Sequence, residues 1–425
     1  MIALLFLSFF ILLILGIPIA LCLVASSILA LYVSGANLVV VVQKLFTAMD
    51  SYSLMAIPFF MIAGGLLAEG GVSKRLTDFA KSLVGWLPGG IAIVVFLSSA
   101  FFGAISGSSA ATVAAIGSIM LPAMLEDGYP LKFSLATIAT GGFLGIIVPP
   151  SIPMVIYGMA AGASVSEVFM GGFLPGVMLA GGMSIYSVIW AMRNKDIIKS
   201  HKFSLKNVWI TFKSAIFALI MPLIVLGGIY GGIFTPTEAA CVAVFYGLFV
   251  GLFVYKELNF KIIVSILRSS IITTGVLLFV IAAATAFGLV LTRENVPQTV
   301  AHMITSFAAN RFTFWMLVTV MLLIVGTFMD TCPAVMILTP IFAPALAAYN
   351  INPVVFGVVM IINLGIGLCT PPVGLNLYVA AGLKKTTIEN VVGRHLLWYL
   401  FAALAVLILL MSVPQIIMFI PNLMK

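Results

Sequence analysis

The sequence predicts an all-α polytopic membrane protein made of two inverted repeats, each pairing a re-entrant helical hairpin with a helix broken at tandem prolines. Three observations carry this expectation. First, 63% of the 425 residues are hydrophobic and 8% are charged, with a mean hydropathy of +1.27. Soluble domains carry about 25% charged residues, so the long apolar runs read as membrane spans. Second, residues 141–157, GGFLGIIVPPSIPMVIY, place Pro149-Pro150 and Pro153 inside such a run. Pro150 has no N–H to donate and crowds the preceding turn, and Pro149 is pushed towards extended backbone. The helix should therefore break there, free the carbonyls of Gly145 to Val148, and restart near Ser151. Third, residues 365–378, GIGLCTPPVGLNLY, repeat the pattern around Pro371-Pro372. The echo extends from Ala160-Ala161-Gly162 to Ala380-Ala381-Gly382, from Glu167 to Glu389, from Gly128-Tyr129-Pro130 to Ile351-Asn352-Pro353, and from Leu121-Pro122 to Thr339-Pro340. A series in one order at nearly one offset marks an internal repeat.

A single Pro-Pro stretch reads equally as a packed kink or as a broken helix at a site. The repetition favours the site, because non-helical backbone at membrane depth needs a polar cavity or protein cover. The net charge of +8 lies in short loops between apolar runs. It reports orientation and does not suggest nucleic acid. Cys22, Cys241, Cys332 and Cys369 lie in apolar stretches without metal or redox spacing, so buried thiols are expected. A transmembrane barrel's alternation is absent.

In order, 2–33 reads as a retained first span bent at Gly16-Ile17-Pro18, and 35–50 as a short connection. Residues 54–68 form a second span, and 72–85 an amphipathic interfacial helix carrying Lys74, Arg75, Asp78 and Lys81. Two apolar arms meet at Ser106-Gly107-Ser108-Ser109, so about 88–127 forms a hairpin with its tip near mid-membrane; two ordinary spans are the alternative. The broken helix covers 131–162 and a span 168–192. The basic connection 193–213 is cytoplasmic by the positive-inside rule, and counting back from it places the N-terminus in the cytoplasm. An extra span follows at 214–233, then a span at 235–254 opened by a capping box, Thr235 with Glu238. A turn with Lys256, Lys261 and Arg268 precedes a span at 271–291 and a second interfacial segment at 294–308. A second hairpin (about 311–347), a second broken helix (353–383) and a last span (391–413) complete the chain. The organisation is thus 1–193 as first repeat, 194–233 as connection and extra span, and 234–425 as second repeat. Copies an odd number of crossings apart must be inverted, so the two tips should meet near the midplane.

Few ionisable residues fall inside the membrane. The exception is Asp330, at the second tip. It reads as a functional carboxylate or as the N-cap of the returning arm. No run of Asp, Glu and His forms a proton relay; His201, His302 and His395 all lie near segment ends. Hydroxyls at Ser106, Ser108, Ser109, Thr331 and Thr370, with the carbonyls before each Pro-Pro, suit a hard cation such as Na⁺. Half-helix N-termini near Ser108, Ser151, Thr331 and Val373 favour an anionic substrate. No catalytic or metal-spaced cluster speaks for an enzyme. A passive channel or a membrane scaffold is the alternative class.

The runs SGSSAATVAAIGS (106–118), VPPSIPMVIYG (148–158), FTPTEAA (234–240) and TPPVGLNLYVAAG (370–382) resemble the large membrane subunit of TRAP transporters, the tripartite ATP-independent periplasmic carriers. The resemblance implies elevator-type, Na⁺-driven uptake of organic acid anions, commonly C4-dicarboxylates or sialic acid, in the bacterial inner membrane. It implies a small membrane (Q) subunit and a periplasmic substrate-binding protein as partners, two or more Na⁺ ions, and no organic cofactor. By analogy, one ion site joins Ser106 and Ser109 to Gly145, Val148 and Pro150. The other joins Gly326 and Asp330 to Gly367, Thr370 and Pro372. Substrate lies near Ser108, Ser151, Thr331 and Asn376.

Overall fold

The computed structural model describes residues 1–194, 199, 202–308 and 310–424. Lys195, Asp196 and His201 of the basic connection lie outside the described residues. Among the described residues, nine helices are long and apolar enough to cross a membrane.

The N-terminal segment corrects the expectation of one bent span. Helix α1 (Ile2–Ile14) ends where Gly16 takes φ +79° and the Ile17 N–H returns 3.2 Å to the Leu12 carbonyl, a left-handed helix ending that only glycine adopts freely. Helix α2 (Ile19–Val33) then folds back on α1. The segment is a helix pair, so the crossing count that placed the N-terminus in the cytoplasm loses its basis. The expected connection at 35–50 is itself largely helical, α3 (Val39–Met49).

Helices α4 (Ala56–Glu69) and the amphipathic α5 (Val72–Val84) follow as expected. The first hairpin is α6 (Gly90–Ser106) and α7 (Ser109–Glu126), joined by Gly107 at φ +60° and Ser108. The first broken helix is α8 (Leu131–Gly142), a 3₁₀ turn at Phe143–Ile146, an irregular stretch and α9 (Ile152–Ala161). Helix α10 (Val165–Arg193) precedes the connection.

Helix α11 (Leu205–Tyr230) begins earlier than residue 214, so part of the basic stretch is helical. Helix α12 (Pro236–Phe249) opens on the Thr235–Glu238 capping box. Helix α13 (Phe260–Arg293) starts at its Asn259 cap, so Lys261 and Arg268 ride on the helix and not in a turn. Then come α14 (Val296–Phe307), the hairpin α15 (Arg311–Phe328) and α16 (Thr331–Ala348), and the broken pair α17 (Pro353–Gly367) and α18 (Leu375–Leu383). Helix α19 (Arg394–Ser412) is followed by α20 (Gln415–Leu423), which the sequence reading did not foresee.

The helices pack as two groups. In one, α13 lies against α2, α3 and α4, and α12 joins α4 to α11. In the other, each hairpin packs on the inner half of its own broken helix, α6 and α7 on α8, α15 and α16 on α17. Each returning arm then reaches the outer half of the opposite broken helix, α7 against α18 and α16 against α9. The expected meeting of tips is thus a crossed arrangement bridged by the broken helices. Helices α10 and α19 flank this group. Tyr399 of α19, fully buried, bonds Thr137 of α8 at 2.9 Å and Ser187 of α10 at 2.8 Å. Buried hydroxyls need such partners in an apolar interior. Helix α5 bridges the groups, touching α11 on one side and α6 on the other, and the groups also meet directly where α13 packs on α16 and α4 on α6.

Candidate functional site

At the first tip, Ser108 caps α7, its Oγ accepting from the Ala111 N–H at 3.4 Å. Thr112, one turn into the arm, donates to the Ser108 carbonyl at 2.7 Å and lies 3.3 Å from the Ser106 hydroxyl. This web holds the tip together, and Thr112 escaped the sequence reading; its spacing of one helical turn from Ser108 was the available signal. The tip presses directly on the break. A Cβ on Gly103 would stand 2.6 Å from the Gly145 Cα, so only glycine fits there. The Ile152 N–H reaches the Gly107 carbonyl at 3.4 Å. Ser151 donates to the Ile146 carbonyl at 2.6 Å and accepts from the Met154 N–H at 3.4 Å. Its hydroxyl is therefore engaged in capping α9 across the break. The carbonyls of Val148 and Pro150 accept no hydrogen bond among the described residues.

The second tip repeats the backbone arrangement. A Cβ on Gly367 would stand 2.6 Å from the Gly326 Cα, and the Gly374 N–H donates to the Thr327 carbonyl at 2.9 Å. Both Pro-Pro bonds, 149–150 and 371–372, are cis. Thr370 donates its hydroxyl to the Ile366 carbonyl at 2.8 Å. The carbonyls of Thr370 and Pro372 accept no hydrogen bond among the described residues. Asp330 occupies the N-cap position of α16 and is exposed. It closes no side-chain cap bond, although the Thr331 and Cys332 amides face its carboxylate. The Thr331 hydroxyl is buried without a partner.

Asn376 ties the two halves together. It is fully buried; its Oδ1 accepts from the Ser109 hydroxyl at 2.9 Å and its Nδ2 donates to the Ala139 carbonyl at 3.1 Å. Its backbone N–H donates to Leu368 at 3.0 Å. Asn376 thus belongs to the second broken helix by sequence and to the first tip by contact. Asn363, which was not among the sequence-based candidates, has its Oδ1 buried without a partner on α17. An amide inside an apolar run was the signal.

A cavity of about 430 Å³ opens beside the first tip. Ser106 and Ser108 form one wall, Gly64 and Glu69 of α4 a second, and Ser270 and Thr273 of α13 a third. Among the described residues, no group of three His, Cys, Asp or Glu could hold a metal ion. The ligands on offer are backbone carbonyls, hydroxyls and the carboxylates of Glu69 and Asp330, all hard oxygen atoms.

Residues 6–416 match the family described as Tripartite ATP-independent periplasmic transporter, DctM component. The chain belongs to this TRAP transporter family. It is 41% identical over 408 residues to the isethionate TRAP transporter permease protein DctMQ of Oleidesulfovibrio alaskensis, covering 96% of this chain and 64% of that longer protein. It is 40% identical over 399 residues to the C4-dicarboxylate TRAP transporter large permease protein DctM of Rhodobacter capsulatus, covering 90% of each. The fold is similar to the crystal structure of the Alcanivorax borkumensis YdaH transporter, with a TM-score of 0.60 at 16% identity, over 88% of this chain and 86% of that one. That likeness concerns the fold alone. Family and spans together make this TRAP chain a multi-pass membrane protein.

Proposed function

We propose that this TRAP chain is the large membrane subunit of a Na⁺-coupled secondary transporter of the bacterial inner membrane, importing a small organic acid anion by an elevator motion. The observation that carries the reading is the matched pair of breaks, each presenting unengaged carbonyls beside a hairpin tip. Val148 and Pro150, with Ser106, Ser109 and Gly145, form the first Na⁺ site. Thr370 and Pro372, with Gly326, Asp330 and Gly367, form the second. Unwound carbonyls of broken helices are suited to Na⁺, and half-helix N-termini to anionic groups. Of the four substrate candidates, Ser108 and Thr331 carry the larger share, because Ser151 and Asn376 donate to backbone carbonyls, whereas among the described residues Ser108 only accepts, from the Ala111 N–H, and Thr331 is unpaired. The names of the relatives support a small acid such as a C4-dicarboxylate over a sialic acid. The fused name DctMQ supports a small Q subunit as partner, and the family supports a periplasmic substrate-binding protein.

The crossed hairpin group is the moving body and the group around α13 the frame, with the repeats inverted as the parity of crossings requires. The cavity runs between them from Ser108 towards Glu69. That end adjoins the start of α13, which carries Lys261 and Arg268, and is cytoplasmic by the positive-inside rule. The test is uptake of a labelled acid panel into liposomes holding the chain, its small subunit and the binding protein. Replacing Na⁺ with choline at fixed pH abolishes saturable uptake. Full uptake on a proton gradient alone overturns Na⁺ coupling, and linear, non-saturating flux favours a channel.

A further inference from the structure

A second cleft, of about 340 Å³, lies between α5 and α11, away from the tips. Its floor is a hydroxyl pair, Ser82 and Thr211, 2.7 Å apart. Lys81 and Lys202 stand on its walls, with Ser204 and Asn207 at the start of α11. Asp78 contributes one opposing carboxylate. Among the described residues neither lysine forms an ion pair. The lining is therefore net cationic, with Ser204 and the Asn207 side chain as its free neutral donors among the described residues, while Ser82, Thr211 and Trp86 donate to backbone carbonyls, and a cationic lining with neutral donors suits a phosphate group.

The surroundings decide what carries that phosphate. Trp86 lines the cleft and meets Phe203 edge to face at 5.6 Å. Both rings are about half exposed, as aromatic residues are at a membrane–water boundary. Beyond the cleft α11 exposes Leu205 and, one helical turn on, Trp209 and Ile210. Lys213 lies over the Trp209 ring at 5.3 Å. A soluble anion would use the cationic cleft and leave the exposed apolar side chains bare; an amphiphile uses both. Basic pockets between membrane helices on the cytoplasmic side suit anionic head groups.

We infer that the cleft between α5 and α11 is a binding site for an anionic phospholipid, its phosphate held by Lys81, Lys202 and Ser204 and its acyl chains laid along α11. The lipid bridges α5 to α11, adding to the Ser82–Thr211 contact. The inference does not depend on the coupling ion or the cargo.

The experiment titrates the full chain, purified in a neutral detergent, with phosphatidylglycerol, phosphatidylcholine or inorganic phosphate, and reads thermal stability and native mass spectra. Phosphatidylglycerol should bind at least tenfold more tightly than phosphatidylcholine and raise the melting temperature by several degrees. Lys81→Gln with Lys202→Gln should remove that difference, and Lys261→Gln, a basic residue outside the cleft, should keep it. If the double variant does not fold, Lys202→Gln alone makes the comparison, since Lys202 is exposed ahead of α11. Equal binding of the two lipids, or an anionic preference unchanged in the lysine variants, overturns the site. Inorganic phosphate reproducing the whole effect overturns the lipid assignment.

Discussion

The two hairpin tips share a backbone plan and differ in side chains. Each first arm meets its break glycine to glycine, and each break gives one N–H to its hairpin. Counted along the returning arms, Ser108, Ser109 and Thr112 of the first tip correspond to Asp330, Thr331 and Ala334 of the second. Counted from the proline pairs, Asn376 corresponds to Met154. The first tip therefore satisfies itself: Thr112 bonds the turn, and Ser109 finds Asn376 across the crossed helices. The second tip lacks both partners. Its Thr331 hydroxyl is left alone and its Asp330 carboxylate is exposed. Exposure differs at the proline pairs, Pro150 being buried and Pro372 open. The two tips thus differ in their side chains, the first pairing its hydroxyls within the protein and the second leaving Thr331 unpaired, while both breaks keep unengaged carbonyls.

The largest expected effect tests what the halves share. Gly103→Ala and Gly367→Ala each place a methyl 2.6 Å from a facing glycine Cα. Backbone cannot swing aside as a side chain can, so each should cost about 1–3 kcal/mol by overpacking, lower the melting temperature and depress uptake. Gly275→Ala, with open space around it, should be neutral in the same uptake and melting assays. A large loss from one of the two only would break the equivalence of the halves.

Next is Asn376→Leu, which severs the crossing link. It leaves the Ser109 hydroxyl and the Ala139 carbonyl without this partner, a buried polar loss of about 1–3 kcal/mol. The melting temperature should fall, and Ser109→Ala should add little on top, since both changes remove one interaction. Full additivity in the double variant would show that the contact carries no coupling.

The third addresses charge. Asp330→Asn keeps the shape at the N-cap and removes the carboxylate. An opposite charge beside Na⁺ strengthens its site, so half-maximal uptake should need about tenfold more Na⁺, a change of about 1.4 kcal/mol. Ser106→Ala, in a site built on dipoles, should shift it less. Unchanged Na⁺ dependence in Asp330→Asn would leave the residue as a helix terminus only.

What the sequence disclosed follows from where it is chemically marked. Tandem prolines, glycines and hydroxyls punctuate apolar runs, so both helix–turn–helix pairs and both breaks were legible to within a few residues, while α7, α15 and α16 are each long and apolar enough to cross a membrane. The split of 2–33 into α1 and α2 was not, because Gly16-Ile17-Pro18 bends a helix or reverses it with the same letters. Helices α3 and α20 were also missed. In a membrane protein the lipid side and the core side are both apolar, so the 3.6-residue pattern that marks a helix in water is weak. The partner of Asn376 was illegible for another reason. Ser109 reaches it only through the crossing of α7 and α18, a long-range packing that no local spacing encodes.

The smallest expected effect is the most discriminating between the tips. Thr331→Val is close to isosteric and removes a hydroxyl that is buried without a partner. Removing an unpaired buried polar group relieves a desolvation penalty of about 1–3 kcal/mol, so the melting temperature should hold or rise slightly. Ser109→Ala, at the matching position, should lower it, because the Asn376 Oδ1 then loses its donor. Uptake should divide the other way. If Thr331 offers its hydroxyl to cargo or ion during transport, Thr331→Val raises the half-saturating substrate concentration by roughly threefold to tenfold, as loss of one hydrogen bond of about 0.5–1.5 kcal/mol requires. Ser109→Ala should leave that concentration near wild type. A Thr331→Val protein that is less stable yet transports normally would mean that its hydroxyl has a structural partner in the membrane. The second tip would then be as closed as the first.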